Sequence, residues 1–217
     1  MRRHPIPVLA PACLATALLA SAAAGTASAA DRDPSWDLRV LLSSAPGIDK
    51  LDDADGVKAD GGSSLAFGVV YTHPLNELVG LSLGAGLFSN RHSAKVEGFS
   101  GTFDNVSAGL ELSAGAAWFA TKAWTIETRL LTQFGANSGS DVRVGNTLFT
   151  NDGGSYTAVG FGVAGLYTFQ QGFQLGGELR YLSAKGENEL KEPGQPAENS
   201  DAKSSGLGLG LVLGYRF

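Results

Sequence analysis

Gly206-Leu207-Gly208-Leu209-Gly210-Leu211-Val212-Leu213-Gly214-Tyr215-Arg216-Phe217 repeats with a period of two residues. Successive side chains of a β-strand point to opposite faces. Leu207, Leu209, Leu211, Leu213, Tyr215 and Phe217 therefore share one face, and glycines, Val212 and Arg216 share the other. A strand that is apolar on one side and small or charged on the other fits a barrel wall between lipid and a narrow polar hollow.

Seven further stretches have the same period. Trp36, Leu38, Val40 and Leu42 oppose Asp37 and Arg39; Leu65, Phe67, Val69 and Tyr71 oppose Ala66 and Gly68; Val79, Leu81, Leu83 and Leu87 oppose Gly84 and Gly86. Val106, Leu110, Leu112 and Trp118 oppose Glu111, and Trp124, Ile126, Leu130 and Phe134 oppose Glu127, Arg129 and Gln133. Val159, Phe161, Val163, Tyr167 and Phe169 oppose Gly160 and Gly162, while Phe173, Leu175, Leu179 and Tyr181 oppose Gln174, Glu178 and Arg180. The pattern predicts an all-β fold, an eight-stranded antiparallel up-and-down transmembrane β-barrel.

The connections alternate in length. Short ones lie near residues 73–77, 120–123 and 170–172, and long polar ones near 45–63, 89–103, 137–155 and 184–204. That alternation suits a chain inserted from one side of a membrane, with both termini on the tight-turn side. Trp36, Tyr71, Trp118, Trp124, Tyr167, Phe169, Phe173, Tyr215 and Phe217 all fall at the tight-turn ends and predict an aromatic girdle. Phe134, Tyr181 and Phe67 supply a sparser one at the loop ends.

Residues 1–30 read as a cleaved secretory signal peptide: Arg2 and Arg3, an apolar run from Val8 to Ala24, then Ala27-Ser28-Ala29 as a small-residue cleavage site. Residues 31–217 remain as one barrel domain. Cys13 lies inside the leader, so the mature chain has no disulfide and no thiolate metal site. Loss of Arg2 and Arg3 from the 16 basic residues leaves 14 against 21 acidic ones, a formal charge of −7 that speaks against nucleic acid as a partner. No mature segment reaches the ~20 continuous apolar residues of a membrane-spanning helix.

With Tyr215-Arg216-Phe217 ending the last alternating strand, the chain resembles bacterial outer-membrane β-barrel proteins. Its strand number, loop asymmetry and length are similar to those of the small barrels of the OmpA transmembrane domain and OmpX. The resemblance implies residence in the outer membrane, contact with outer-membrane lipid and lipopolysaccharide, and a monomer. It also implies that Tyr215 and Phe217 act as the assembly signal read by the barrel-assembly machinery. Nothing follows Phe217, so no peptidoglycan-binding domain and no tether to the cell wall are expected.

The inward face is expected to hold an ionic network of Asp37, Arg39, Glu111, Glu127, Arg129, Glu178, Arg180 and Arg216, because unpaired charges in a narrow lumen are costly. The functional alternative to a stabilising network is a gate for small ions. Toward the loops the inward residues become small, at Gly84, Gly86, Gly160, Gly162, Gly206, Gly208 and Gly210, so a water-filled vestibule is expected unless something bulky fills it. His92 and Ser93 are adjacent and point apart on a strand, which leaves His92 as a solvated loop histidine and no catalytic residue. The His-x-Ser-Asn pattern of outer-membrane lipid A deacylases is absent. Asp49, Asp52, Asp53, Asp55 and Asp60 form an acidic first loop, but Leu51 and Gly62 occupy the positions where a calcium loop needs ligands, so no metal and no cofactor are expected. Weak divalent-ion bridging to lipopolysaccharide is the alternative for that loop. Glu187, Glu189, Lys191, Glu192, Pro193, Pro196, Glu198 and Asp201 make the fourth loop flexible and hydrated.

The expected function is a non-enzymatic outer-membrane barrel for envelope integrity or surface interaction. A narrow porin-like channel comes second and a lipid A-modifying enzyme third. A secreted lipocalin-type barrel would show similar alternation with its apolar face inside.

Overall fold

The computed structural model describes residues 32–51, 56–97, 102–144, 147–191, 194, 196 and 198–217. The expected signal peptide, Cys13, the acidic residues Asp52, Asp53 and Asp55, and Glu192 and Pro193 lie outside the described residues.

Alternation at this spacing forms strands because every second residue places an apolar side chain outward while the backbone stays free to pair on both sides. Among the described residues eleven strands result: β1 Ser35–Ala45, β2 Ile48–Leu51, β3 Val57–Pro74, β4 Val79–Val96, β5 Thr102–Phe119, β6 Trp124–Gly139, β7 Val142–Val144, β8 Thr147–Asn151, β9 Gly154–Thr168, β10 Phe173–Lys191 and β11 Glu198–Arg216. Eight of them, β1, β3, β4, β5, β6, β9, β10 and β11, pair antiparallel in chain order, and β11 pairs back to β1 to close the ring. Backbone bonds Trp36 N–H to Phe217 O (3.2 Å) and Phe217 N–H to Trp36 O (3.0 Å) tie the seam at the tight-turn end.

Closing a sheet into a barrel requires a stagger of register. Paired residues lead around the wall from Val40 to Phe67, Leu87, Leu110, Phe134, Thr157, Lys185 and Lys203, and return to the starting wall position at Lys50, ten residues on. β2 thus continues β1 after Pro46-Gly47, with a register shift at Lys203/Ser204.

The tight turns are held by local chemistry. Asn76 Oδ1 accepts from the N–H groups of Leu78 and Val79, both at 2.8 Å, and Thr121 Oγ1 accepts from those of Ala123 and Trp124. Gly172 takes φ +85° in the third turn, a left-handed conformation that favours glycine.

The long connections differ from the expected loops. β3 and β4 stay paired out to Val57 and Val96, and β10 and β11 out to Leu190 and Glu198. Glu187, Glu189, Lys191, Glu198 and Asp201, read as a flexible loop, are strand residues. Beyond the apolar belt both faces of the ribbon carry polar side chains, so pairing continues while hydrophobic alternation fades.

Polarity is inverted relative to a water-soluble barrel. Outward leucines such as Leu83, Leu87 and Leu209 are exposed, whereas Asp37, Asn90, Glu127, Gln174 and Glu178 are buried inside. The aromatic girdle surrounds the tight-turn end: Trp36 packs on Tyr71 at 4.9 Å between centroids, Trp124 on Tyr167 at 5.3 Å, and Tyr167 on Phe169 at 4.8 Å. At the loop end Phe161 stacks on Tyr181 at 5.8 Å. An apolar belt of this kind is stable against acyl chains and costly in water.

Candidate functional site: a continuous polar chain through the lumen

All eight inward charges predicted from parity meet in the lumen, contributed by β1, β5, β6, β10 and β11. They alternate in sign along one path. Arg216 Nε donates to Asp37 (2.8 Å), Asp37 pairs with Arg39, and Arg39 makes two bonds to Glu127 at 2.6 and 2.7 Å. Glu127 lies 3.8 Å from Arg129, Arg129 pairs with Glu178, and Arg180 bridges Glu178 (2.9 Å) and Glu111 (3.2 Å). In the ring order β1 and β6 stand on opposite sides, so Arg39–Glu127 braces the full width of the lumen. Each carboxylate except Glu111 faces more than one guanidinium, which offsets the cost of burying it.

Space for this network comes from Gly162. A Cβ there would stand 2.9 Å from Glu178 Oε1. Gly162→Val is therefore expected to displace the Glu178 carboxylate and cost ~1–3 kcal/mol by overpacking, measured as a lower urea midpoint for the refolded barrel.

The polar path continues toward the loops through neutral side chains. Gln133 Nε2 donates to Glu111 Oε2 (2.6 Å), Asn90 Nδ2 donates to Gln133 Oε1 (2.8 Å), and Ser64 Oγ donates to Asn90 Oδ1 (2.7 Å). The Tyr156 hydroxyl accepts from Asn90 Nδ2 (3.0 Å) and lies between Gln133 Oε1 (3.3 Å) and His92 Nε2 (3.5 Å). His92 Nδ1 faces the Pro46 carbonyl at 2.8 Å, which makes that nitrogen the donor, and Ser204 Oγ stands 3.3 Å away.

His92 departs from the sequence reading. It is buried at 3% exposure instead of solvated, because β4 extends past the apolar band and carries it inward over Tyr156. Burial pushes its pKa below the ordinary value, against the opposing effect of the Pro46 bond, and so favours the neutral ring. Ser93 points the other way and donates to Asp104 Oδ1 (2.5 Å), as the parity argument requires. Its hydroxyl and the His92 ring do not form a catalytic pair.

The expected vestibule is also filled. Phe88 and Tyr156 pack at 5.4 Å between centroids, joined by Leu41, Ala158, Ala184 and Val212, and Leu182 is buried beside Gly160. Nearer the loops Ile48, Ala94, Phe103 and Ala202 form a second small core. The inward glycines make room for these bulky neighbours from other strands, a pairing that residue size along one strand does not reveal. A cavity of about 40 Å³ remains beside Arg39, Glu111, Arg129, Glu178 and Arg180, room for a few waters.

Among the described residues no group of three or more His, Cys, Asp or Glu is placed to hold a metal ion. Asp60, from the acidic first loop, pairs with Lys95 at 3.0 Å.

No protein-family model matches the chain, and no curated protein matches it in sequence. Solved structures do match in fold. The outer membrane protein OprG from Pseudomonas aeruginosa superposes with a TM-score of 0.52 at 14% identity, over 86% of this chain and 97% of that one. Ail, the attachment invasion locus protein of Yersinia pestis, gives 0.46 at 12% identity over 86% and 100%, and the outer membrane protein AlkL in DMPC lipid bilayers gives 0.46 at 15% over 89% and 94%. The likeness to OprG is one of architecture. The chain is an eight-stranded antiparallel β-barrel, and in fold it is similar to an outer-membrane barrel.

Proposed function

We propose that this chain is an integral, monomeric outer-membrane barrel that acts as a structural and surface-presenting element, with a sealed lumen and no enzymatic role. The observation that carries the reading is the alternating ionic path from Arg216 to Glu111, capped by Tyr156 and Phe88. An ion crossing the lumen would have to break several buried charge-assisted bonds, each of which leaves a charge unpaired. The apolar belt fits bilayer hydrocarbon, and the paired ribbons beyond it fit presentation of polar surface outside the membrane. The signal-peptide reading of residues 1–30 and use of Tyr215 and Phe217 as an assembly signal belong to the same proposal.

Planar-bilayer recording tests it. The refolded chain is expected to show no steady conductance above the bare bilayer. Reproducible single-channel steps from the unmodified protein would replace this reading with that of a narrow conduit.

A further inference from the structure

Just above the apolar belt, on the outer surface of β2, β11 and β10, one row of paired residues is entirely lysine. Lys50 pairs with Lys203, and Lys203 pairs with Lys185. Like charges set directly opposite one another destabilise a sheet, so such a row needs anions beside it.

Neighbouring acids supply part of that need. Lys185 lies 2.9 Å from Asp201 and 3.3 Å from Glu187, both two residues farther from the belt along their strands. Among the described residues no carboxylate lies within ion-pair distance of Lys50 or Lys203. Asp49, the acid at the same groove, accepts from Ser205 Oγ at 2.7 Å. At the groove itself the three ammonium groups of Lys50, Lys185 and Lys203 stand against the single carboxylate of Asp49.

The lysines border an outward groove of about 470 Å³ that also exposes the hydroxyl-bearing residues Thr157, Ser183 and Ser205. Directly below it the belt begins. Val159 and Leu207 are each 63% exposed, and Tyr181, stacked on Phe161, pairs with Leu207. Reading from the belt toward the loops, the surface passes from leucine and aromatic ring to a level of hydroxyls, where Asp49 is held by Ser205, then to the lysine row, then to Glu187 and Asp201. A bilayer presents the complementary order of acyl chain, then phosphate.

We propose that this groove binds the phosphate of an anionic lipid headgroup in the outer leaflet. Lys50, Lys185 and Lys203 supply the charge, their flexible stems letting the ammonium groups bend toward the headgroup layer. The Thr157 and Ser183 hydroxyls donate to the phosphate oxygens, and the acyl chains lie along Val159, Leu207 and Tyr181. This inference rests on the membrane reading given above and adds a specific lipid site to it.

The test uses the full chain refolded in phosphate-free alkyl-glucoside micelles. It is titrated with bisphosphorylated lipid A, dephosphorylated lipid A or inorganic phosphate, and bound lipid is counted by native mass spectrometry. Lipid A is expected to bind, with the dephosphorylated form at background and inorganic phosphate unable to displace it at equal concentration. Lys50→Gln with Lys203→Gln should weaken binding roughly 30-fold, at about 1 kcal/mol per lysine and 1.4 kcal/mol per tenfold. The Lys50→Arg/Lys203→Arg pair should retain it.

Equal binding of both lipid A forms, or equal binding by the unmodified and glutamine proteins, would overturn the site. Displacement by inorganic phosphate would assign it to free phosphate and overturn the lipid source. If the glutamine pair fails to fold, discrimination between the two lipid A forms by the unmodified chain decides alone. Insertion into lipid vesicles, read as heat-modifiable gel mobility, is scored separately. Failure to insert counts against the membrane reading, whereas normal insertion without phosphate discrimination counts only against the groove.

Discussion

Replacing Glu127 with alanine is expected to lower the unfolding free energy of the barrel by about 3–5 kcal/mol, the cost of removing one partner from a buried ion-pair network and leaving a positive charge uncompensated. Glu127 is fully buried, receives two bonds from Arg39 across the lumen and lies beside Arg129. Its removal cuts the alternating path in the middle, leaving Arg39 with Asp37 alone and Arg129 with Glu178 alone and one buried positive charge in excess. Urea titration of the protein in lipid vesicles, followed by tryptophan fluorescence, measures the loss. The companion variant Arg39→Leu/Glu127→Leu removes both charges and should recover much of the stability, because two apolar side chains of similar size carry no unpaired charge. A loss below about 1 kcal/mol for Glu127→Ala, the value of an exposed surface pair, would mean that water reaches the network and that the lumen is not sealed.

The contrast between those two variants shows what was legible beforehand. Parity along β1, β5, β6, β10 and β11 determines which charges face inward, so the eight members of the network follow from counting residues. Their order along the path does not, because Arg39–Glu127 and Arg180–Glu111 join strands that never pair with each other. It depends on the stagger of the closed ring, a property of the whole sheet. His92, Asn90 and Tyr156 were hidden for a related reason. They sit inward on strand segments whose outward neighbours are Ser89, Arg91, Ser93 and Ser155, so the apolar marker of a strand is missing there while the pairing persists. The lysine row is likewise invisible along the chain, since Lys50, Lys185 and Lys203 are brought together only by register.

Leu211→Arg should be the most informative change on the other face of the wall. On β11 the outward residues of the apolar belt run from Tyr215 at the girdle to Leu207 beside the lysine groove, and Leu211 is the middle one. It points away from the lumen, while Val212 next to it is buried inside at 2% exposure. In a bilayer an arginine at the midplane costs ~2–4 kcal/mol, and near the interface only ~0–1 kcal/mol. Leu211→Arg is therefore expected to unfold at markedly lower urea in phosphatidylcholine vesicles, and Leu207→Arg to stay close to the unmodified protein. Water around the belt would remove the ranking: an exposed leucine changed to arginine would shift stability within about 0.5 kcal/mol at either position. Depth dependence is thus the signature that separates lipid from water. Similar small effects at Leu211 and Leu207 would remove the ground for placing this wall in a membrane, and with it the headgroup site at Lys50, Lys185 and Lys203.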